Sequence, residues 1–123
     1  MKPLLEARNV AQKEVGVFRR WFENDFFDLI VWYKPDGKTL IGFQLCYDKS
    51  YAERALTWTI GGGYQHDRID DGEPSPIINS TPLVVADGVF DSATIANKFL
   101  EAAGSLEKEL RDLIYDKIRE YSP

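Results

Sequence analysis

His66, Asp67, Asp70, Asp71 and Glu73 fall within eight residues of one another, and His66 is the only histidine in the chain. An imidazole titrates near neutral pH, so His66 has the side-chain chemistry of a general base, and Asp67 or Asp70 could orient its ring. His66 and Asp70 are therefore the candidate catalytic residues of a hydrolase. No nucleophile accompanies them in sequence. Cys46 is the only thiol and could serve if the fold brought it to His66, although a cysteine on a sheet is more commonly an inert core residue.

The same carboxylates are metal-ligand types, but their spacing is wrong for a calcium loop. A loop starting at Asp67 would need oxygen ligands where Ile69 and Ile78 stand. One histidine with no second histidine or cysteine nearby is short of a zinc set. No metal and no cofactor are expected. Gly61-Gly62-Gly63 is followed by Tyr64-Gln65-His66 rather than by a lysine and a helix start, so it reads as a hinge and not a phosphate cradle.

A second chemistry, metal-dependent phosphodiester cleavage, needs an acid at the start of one strand and a Glu/Gln-x-Lys on the next. Asp28 and Gln44 fit the first two places. Cys46 occupies the lysine position, and Lys49 lies in the following turn. The net charge of −5 also argues against a nucleic-acid partner, because phosphate binding draws on Lys and Arg. A lone cysteine allows no internal disulfide, and the first residues lack a signal-peptide pattern, which points to the cytoplasm. No apolar run is long enough for a bilayer span, so no membrane partner is expected.

These groups must be positioned by an α+β fold. At 123 residues, 44% hydrophobic and 28% charged, the chain has the size and composition of a single domain, 1–123. Val17–Glu23, Phe26–Tyr33, Lys38–Tyr47 and Glu53–Ile60 are rich in aromatic and β-branched residues and are separated by turn chemistry. They predict a four-stranded antiparallel meander, with Leu83–Ala86 as a candidate fifth strand. Residues 61–82 read as a loop folding over one end of the sheet, and 1–15 as either a helix opened by Pro3 or an extended segment. Two C-terminal helices follow. Asp91 caps the first, with Ile95, Ala96, Phe99, Leu100 and Ala103 facing inward. Ser105 caps the second, whose stripe is Leu106, Leu110, Leu113, Ile114, Ile118 and Tyr121.

Strand register sorts the side chains. A Pro35-Asp36-Gly37 turn with a glycine bulge would pair Lys34 with Lys38, Ile30 with Gly42 and Asp28 with Gln44. Phe27, Leu29, Val31, Tyr33, Ile41, Phe43 and Leu45 then form the helix-covered face. The other face carries Phe26, Asp28, Ile30, Trp32, Leu40, Gly42, Gln44 and Cys46. Pairing Tyr47 with Glu53 adds Arg54, Leu56, Trp58 and Ile60 to it, and an Asn24-Asp25 turn adds Arg19, Trp21 and Glu23. All three tryptophans would share this face, around a polar centre of Asp28, Gln44 and an arginine.

Gly42-Phe43-Gln44-Leu45-Cys46-Tyr47-Asp48-Lys49, Glu53-Arg54-Ala55-Leu56-Thr57-Trp58 and Asp70-Asp71-Gly72-Glu73 resemble stretches of an uncharacterised bacterial protein family. That resemblance implies no activity.

The expected function is that of a small binding or accessory domain. Its ligand pocket or protein interface would be built from Trp21, Trp32 and Trp58 for contact area and Asp28, Gln44 and Arg54 for polar specificity. Its partner would be a small molecule, another protein or a second copy in a homodimer. The alternative is a hydrolase, with or without assistance from a metal, using His66 and the acidic 61–82 loop.

Overall fold

The computed structural model describes residues 1–12, 15–68 and 90–121. Among them, β1 (Leu5–Glu6), β2 (Phe18–Glu23), β3 (Phe27–Tyr33), β4 (Leu40–Tyr47), β5 (Arg54–Thr59) and β6 (Gly63–Arg68) form one antiparallel sheet in sequence order. The helices α1 (Ser92–Ala102) and α2 (Lys108–Glu120) pack on one of its faces. The α+β architecture is the expected one, with six strands rather than four or five. Leu83–Ala86 lies outside the described residues.

Alternation builds the closed layer. Phe22, Phe27, Leu29, Val31, Phe43, Leu45 and Leu56 are buried on the helix side with Phe99, Ile114 and Ile118. Asp91 caps α1 by accepting from the Thr94 backbone N–H at 3.1 Å and the Thr94 hydroxyl at 2.7 Å. Leu100 points outward, and Ala102 takes its place in the stripe. Ser105 does not cap α2. Its hydroxyl donates to the Leu4 carbonyl, and Glu107 stands at the start of that helix. The N-terminal segment is extended and not helical, with Leu4 fully buried and its N–H bonded to the Ala102 carbonyl at 2.8 Å.

Three turns depart from the expected register. In the β3–β4 loop the Asp36 carboxylate accepts from the backbone N–H of Lys38 and Thr39 and from the Thr39 hydroxyl, at 2.7 to 2.9 Å. These bonds hold its carboxyl down at about 2. The loop therefore closes between Lys34 and Thr39, a bulge follows between Trp32 and Tyr33, and Asp28 pairs with Cys46 while Ile30 pairs with Gln44. Asp28 and Gln44 are not directly opposed, and the bulge moves Leu40 to the helix side. At the β2–β3 turn the Asn24 side chain accepts from Phe26 and Phe27, so Glu23 pairs with Asp28. Phe26 stays in the turn, packed on the core edge. Both shifts are by two residues, so most side chains keep their face.

The third shift is by one. Tyr47 pairs with Arg54, not with Glu53, across a turn in which Asp48 adopts a left-handed φ of 59°. A one-residue slip turns a whole strand over. Arg54, Leu56 and Trp58 therefore point to the helix side, and Ala55, Thr57 and Thr59 to the other.

Arg20 ties the layers together. Its guanidinium donates to Glu6 in β1 at 2.8 and 2.9 Å, and to Glu107 before α2 at 2.8 Å. These carboxylates raise its pKa, and its guanidinium in turn lowers that of Glu107. Replacing a half-buried cation between two acids leaves both without their partner, so Arg20→Met is expected to cost about 2 kcal/mol. Urea denaturation would measure it, and an unchanged midpoint would mean the pairs contribute nothing net.

Candidate functional site

The face opposite the helices is laid out in rows that follow the strand pairing. One row holds Arg19, Trp32, Gly42 and Thr59. The middle row holds Trp21, Ile30, Gln44, Thr57 and Gln65. The third holds Glu23, Asp28, Cys46, Ala55 and Asp67. Trp21, Ile30 and Trp32 are each half-buried, and Ala11 and Gln12 reach the Arg19 rim.

Polar contacts organise the rows. Lys49 comes up from the β4–β5 turn to pair with Asp28 at 3.1 Å while donating to the Asn24 carbonyl at 2.9 Å. The Trp21 indole N–H points to the same carboxylate at a long 3.5 Å. Gln44 donates to the Thr57 hydroxyl at 3.0 Å. Arg19 leans over the Trp21 ring and donates to the Ala11 carbonyl at 2.7 Å, and its Nε is buried with no hydrogen-bond partner among the described residues. Asp67 is buried, and desolvation raises its pKa against the pull of a 2.7 Å bond from Gln65.

Cys46 lies between Asp28 and Ala55 in the third row. Burial, and then the charges of Glu53 and Asp28, push its thiol up to about 12, so it stays protonated and unreactive at neutral pH.

The structure brings Trp21, Trp32, Asp28 and Gln44 onto this face and takes Arg54 and Trp58 off it. Trp58 instead lies on the helix side, 6.2 Å from the Phe43 ring and capped by the Lys117 ammonium at 4.6 Å. The triple glycine is no hinge, and residues 63–68 are not a loop. Gly63, at φ 70°, closes a hairpin, and β6 follows. Strand alternation turns His66 inward.

His66 sits among Tyr47, Phe90 and Tyr121, with its Nε2 hydrogen-bonded to the Tyr47 hydroxyl at 2.6 Å. Burial, and secondarily the Arg54 charge, lower its pKa to about 4. Asp67 projects from the opposite face of the same strand and does not orient it. Asp70, Asp71 and Glu73 lie outside the described residues. No group of three or more His, Cys, Asp or Glu side chains suited to a metal occurs among the described residues. No described helix is long and apolar enough to cross a membrane.

Sequence reasoning missed Thr57, Thr59 and Gln65 as members of the open face, and Lys49 as the partner of Asp28. The alternation Leu56-Thr57-Trp58-Thr59 carried that signal, since its apolar members belong with the core. A concavity of about 380 Å³ was also not foreseen. It lies between α2 and the β3–β4 hairpin, over Tyr33, Leu40 and Leu110. The Arg20 guanidinium on its wall is already shared by Glu6 and Glu107.

No family model matches this chain, and neither a curated protein nor a solved structure does.

Proposed function

We propose that this chain is a cytoplasmic, non-catalytic binding domain whose recognition surface is the open face of the sheet. The observation that carries the reading is that Trp21, Ile30 and Trp32 stand together on the face away from the helices, beside hydrogen-bonding groups at Gln44 and Thr57. A solvated antiparallel face is ordinarily polar, and contiguous aromatic area on one marks a contact surface. Tryptophans give contact area with little side-chain entropy to lose, and the amide and hydroxyl give direction.

Binding is favoured over hydrolysis by the surroundings of His66. Its Nε2 is engaged by Tyr47, its ring is buried, and it is a weak base on the face away from Trp21 and Trp32.

The test is a thermal-shift screen of aromatic small molecules and short amphipathic peptides against the wild-type chain, Trp32→Ala and Trp58→Ala. Compounds that stabilise the wild type should lose their effect in Trp32→Ala and keep it in Trp58→Ala, where the loss falls on the core. Stabilisation that persists undiminished in Trp32→Ala and in Trp21→Ala would take the open face out of the function.

A further inference from the structure

On the reading that the open face is a recognition surface, we propose that its occupant is a second copy of this chain. The two copies would stack sheet on sheet about a two-fold axis running across the strands through the middle row. Two charges on this face, Arg19 and Glu23, form no ion pair among the described residues. Arg19 has no carboxylate partner among the described residues, and its bonded guanidinium nitrogen reaches only a backbone carbonyl. Glu23 is exposed, forms no ion pair among the described residues, and stands directly opposite Asp28 on β3. Like charges across a strand pair are destabilising, and Lys49 answers only Asp28.

Arg19 and Glu23 are the residues two before and two after Trp21 on one strand, each roughly 7 Å from it at the rise of an extended chain. An axis across the strands through Trp21 therefore lays Arg19 of one copy over Glu23 of the other, twice. The middle row then meets itself. Trp21, Ile30, Gln44 and Thr57 lie against the same residues of the second copy, as an isologous contact requires. Sheets stacked this way sit about 10 Å apart, which leaves room for facing indoles.

The alternative axis, parallel to the strands, puts β2 over β6. It sets Arg19 over Gly63 and leaves Glu23 without a facing cation, so charge selects the first arrangement. Cys46, Ala55 and Asp67 are already buried within one copy, so the contact centres on β2 and β3, and its footprint stays below the roughly 400 Å² that five strands at about 4.8 Å and five residues of depth would give in projection. That places the pair among weak, concentration-dependent associations and not among obligate dimers.

The experiment is sedimentation equilibrium on the full chain, from dilute solution to its solubility limit. It compares the wild type, Arg19→Glu, Glu23→Arg and an equimolar mixture of the two variants. The wild type should dimerise with rising concentration, and each reversal should weaken pairing about tenfold or more. In the mixture, the carboxylate introduced by Arg19→Glu meets the guanidinium introduced by Glu23→Arg, and the native pair forms at the second site. A mixed dimer of near wild-type strength should therefore appear. If Arg19→Glu does not fold, Glu23→Arg and Glu23→Gln carry the test, with the reversal weakening the dimer more than the neutral change.

A wild type that stays monomeric throughout overturns self-pairing while leaving the ligand screen to decide the surface. A dimer indifferent to both reversals, or variants that do not rescue each other on mixing, overturns the proposed arrangement. A dimer that also survives Trp21→Ala and Trp32→Ala at full strength shows that the open face is not its interface.

Discussion

Replacing Gly42 with alanine is expected to destabilise the domain by about 3 kcal/mol, the upper part of the ordinary range for overpacking. A Cβ on Gly42 would come 2.2 Å from the Trp58 carbonyl oxygen, 2.8 Å from the Thr59 Cα and 2.9 Å from its Cγ2. Two of those three atoms belong to the β5 main chain, so no side-chain rotation relieves the clash. The strand itself must draw away where Trp32, Gly42 and Thr59 align across the sheet. Gly61→Ala is the control. A Cβ there meets nothing within 4 Å, so its effect should fall within about 0.5 kcal/mol of zero. Urea midpoints of the three proteins would decide. The result also bears on register, because pairing Tyr47 with Glu53 would set Gly42 opposite Trp58, whose ring would cover it, and an added methyl would fill space. A neutral or stabilising Gly42→Ala would favour that pairing.

The difference between the expected and observed faces comes down to whether each turn was miscounted by an even or an odd number. Asn24 and Asp36 each gather backbone N–H groups onto a side-chain oxygen, which moves the pairing by two residues. Period-two alternation forgives such an error, so Trp21, Trp32, Asp28 and Gln44 were legible as one face. The Asp48–Glu53 turn has no glycine or proline to fix its length, and a left-handed Asp48 makes it one residue longer than counted. That single residue put Trp58 and Arg54 on the wrong side. Hydrophobic pattern would have been the better guide, since Leu56 and Trp58 are apolar and Thr57 and Thr59 are not.

The helices were legible because their stripes are long and nearly unambiguous, as with Leu110, Ile114 and Ile118 in α2. β6 was not. Its inward residues Tyr64 and His66 are polar-tipped aromatics, and its outward Gln65 and Asp67 look like loop residues. Three glycines before it suggested flexibility where the chain makes a tight hairpin. Nor does sequence show that an acid and a base side by side project from opposite faces. That is why the same His66-Asp67 pair that suggests catalysis in one dimension is split by the sheet in three.

The stability of the fold is expected to fall by about 3 kcal/mol between pH 7 and pH 4 through His66 alone. Its folded pKa is lowered from 6.5 to about 4, chiefly by burial, with the Arg54 charge adding to the effect. In the unfolded chain the imidazole takes up its proton near 6.5, whereas in the folded chain it resists until about 4. Across that window the unfolded state binds more protons, so lowering the pH favours unfolding. The contribution is complete above the unfolded value, is lost as pH falls, and levels off below the folded one. At about 1.36 kcal/mol per pH unit the window amounts to about 3 kcal/mol. Asp67 works in the opposite direction, since its raised pKa makes the folded state the better proton acceptor for that group as pH falls. The dependence is therefore isolated by comparing the wild type with His66→Phe. That variant keeps an aromatic ring beside Phe90 and Tyr121 but loses the hydrogen bond to Tyr47. Near neutral pH the wild type should be the more stable of the two. As pH falls from 6.5 toward 4 its advantage should shrink and then reverse, because only the wild type carries an imidazole that the folded core will not let ionise. Urea midpoints taken at half-unit steps would trace the crossing. Curves that stay parallel over the whole range would mean that His66 titrates alike in both states and that solvent reaches it in the folded chain.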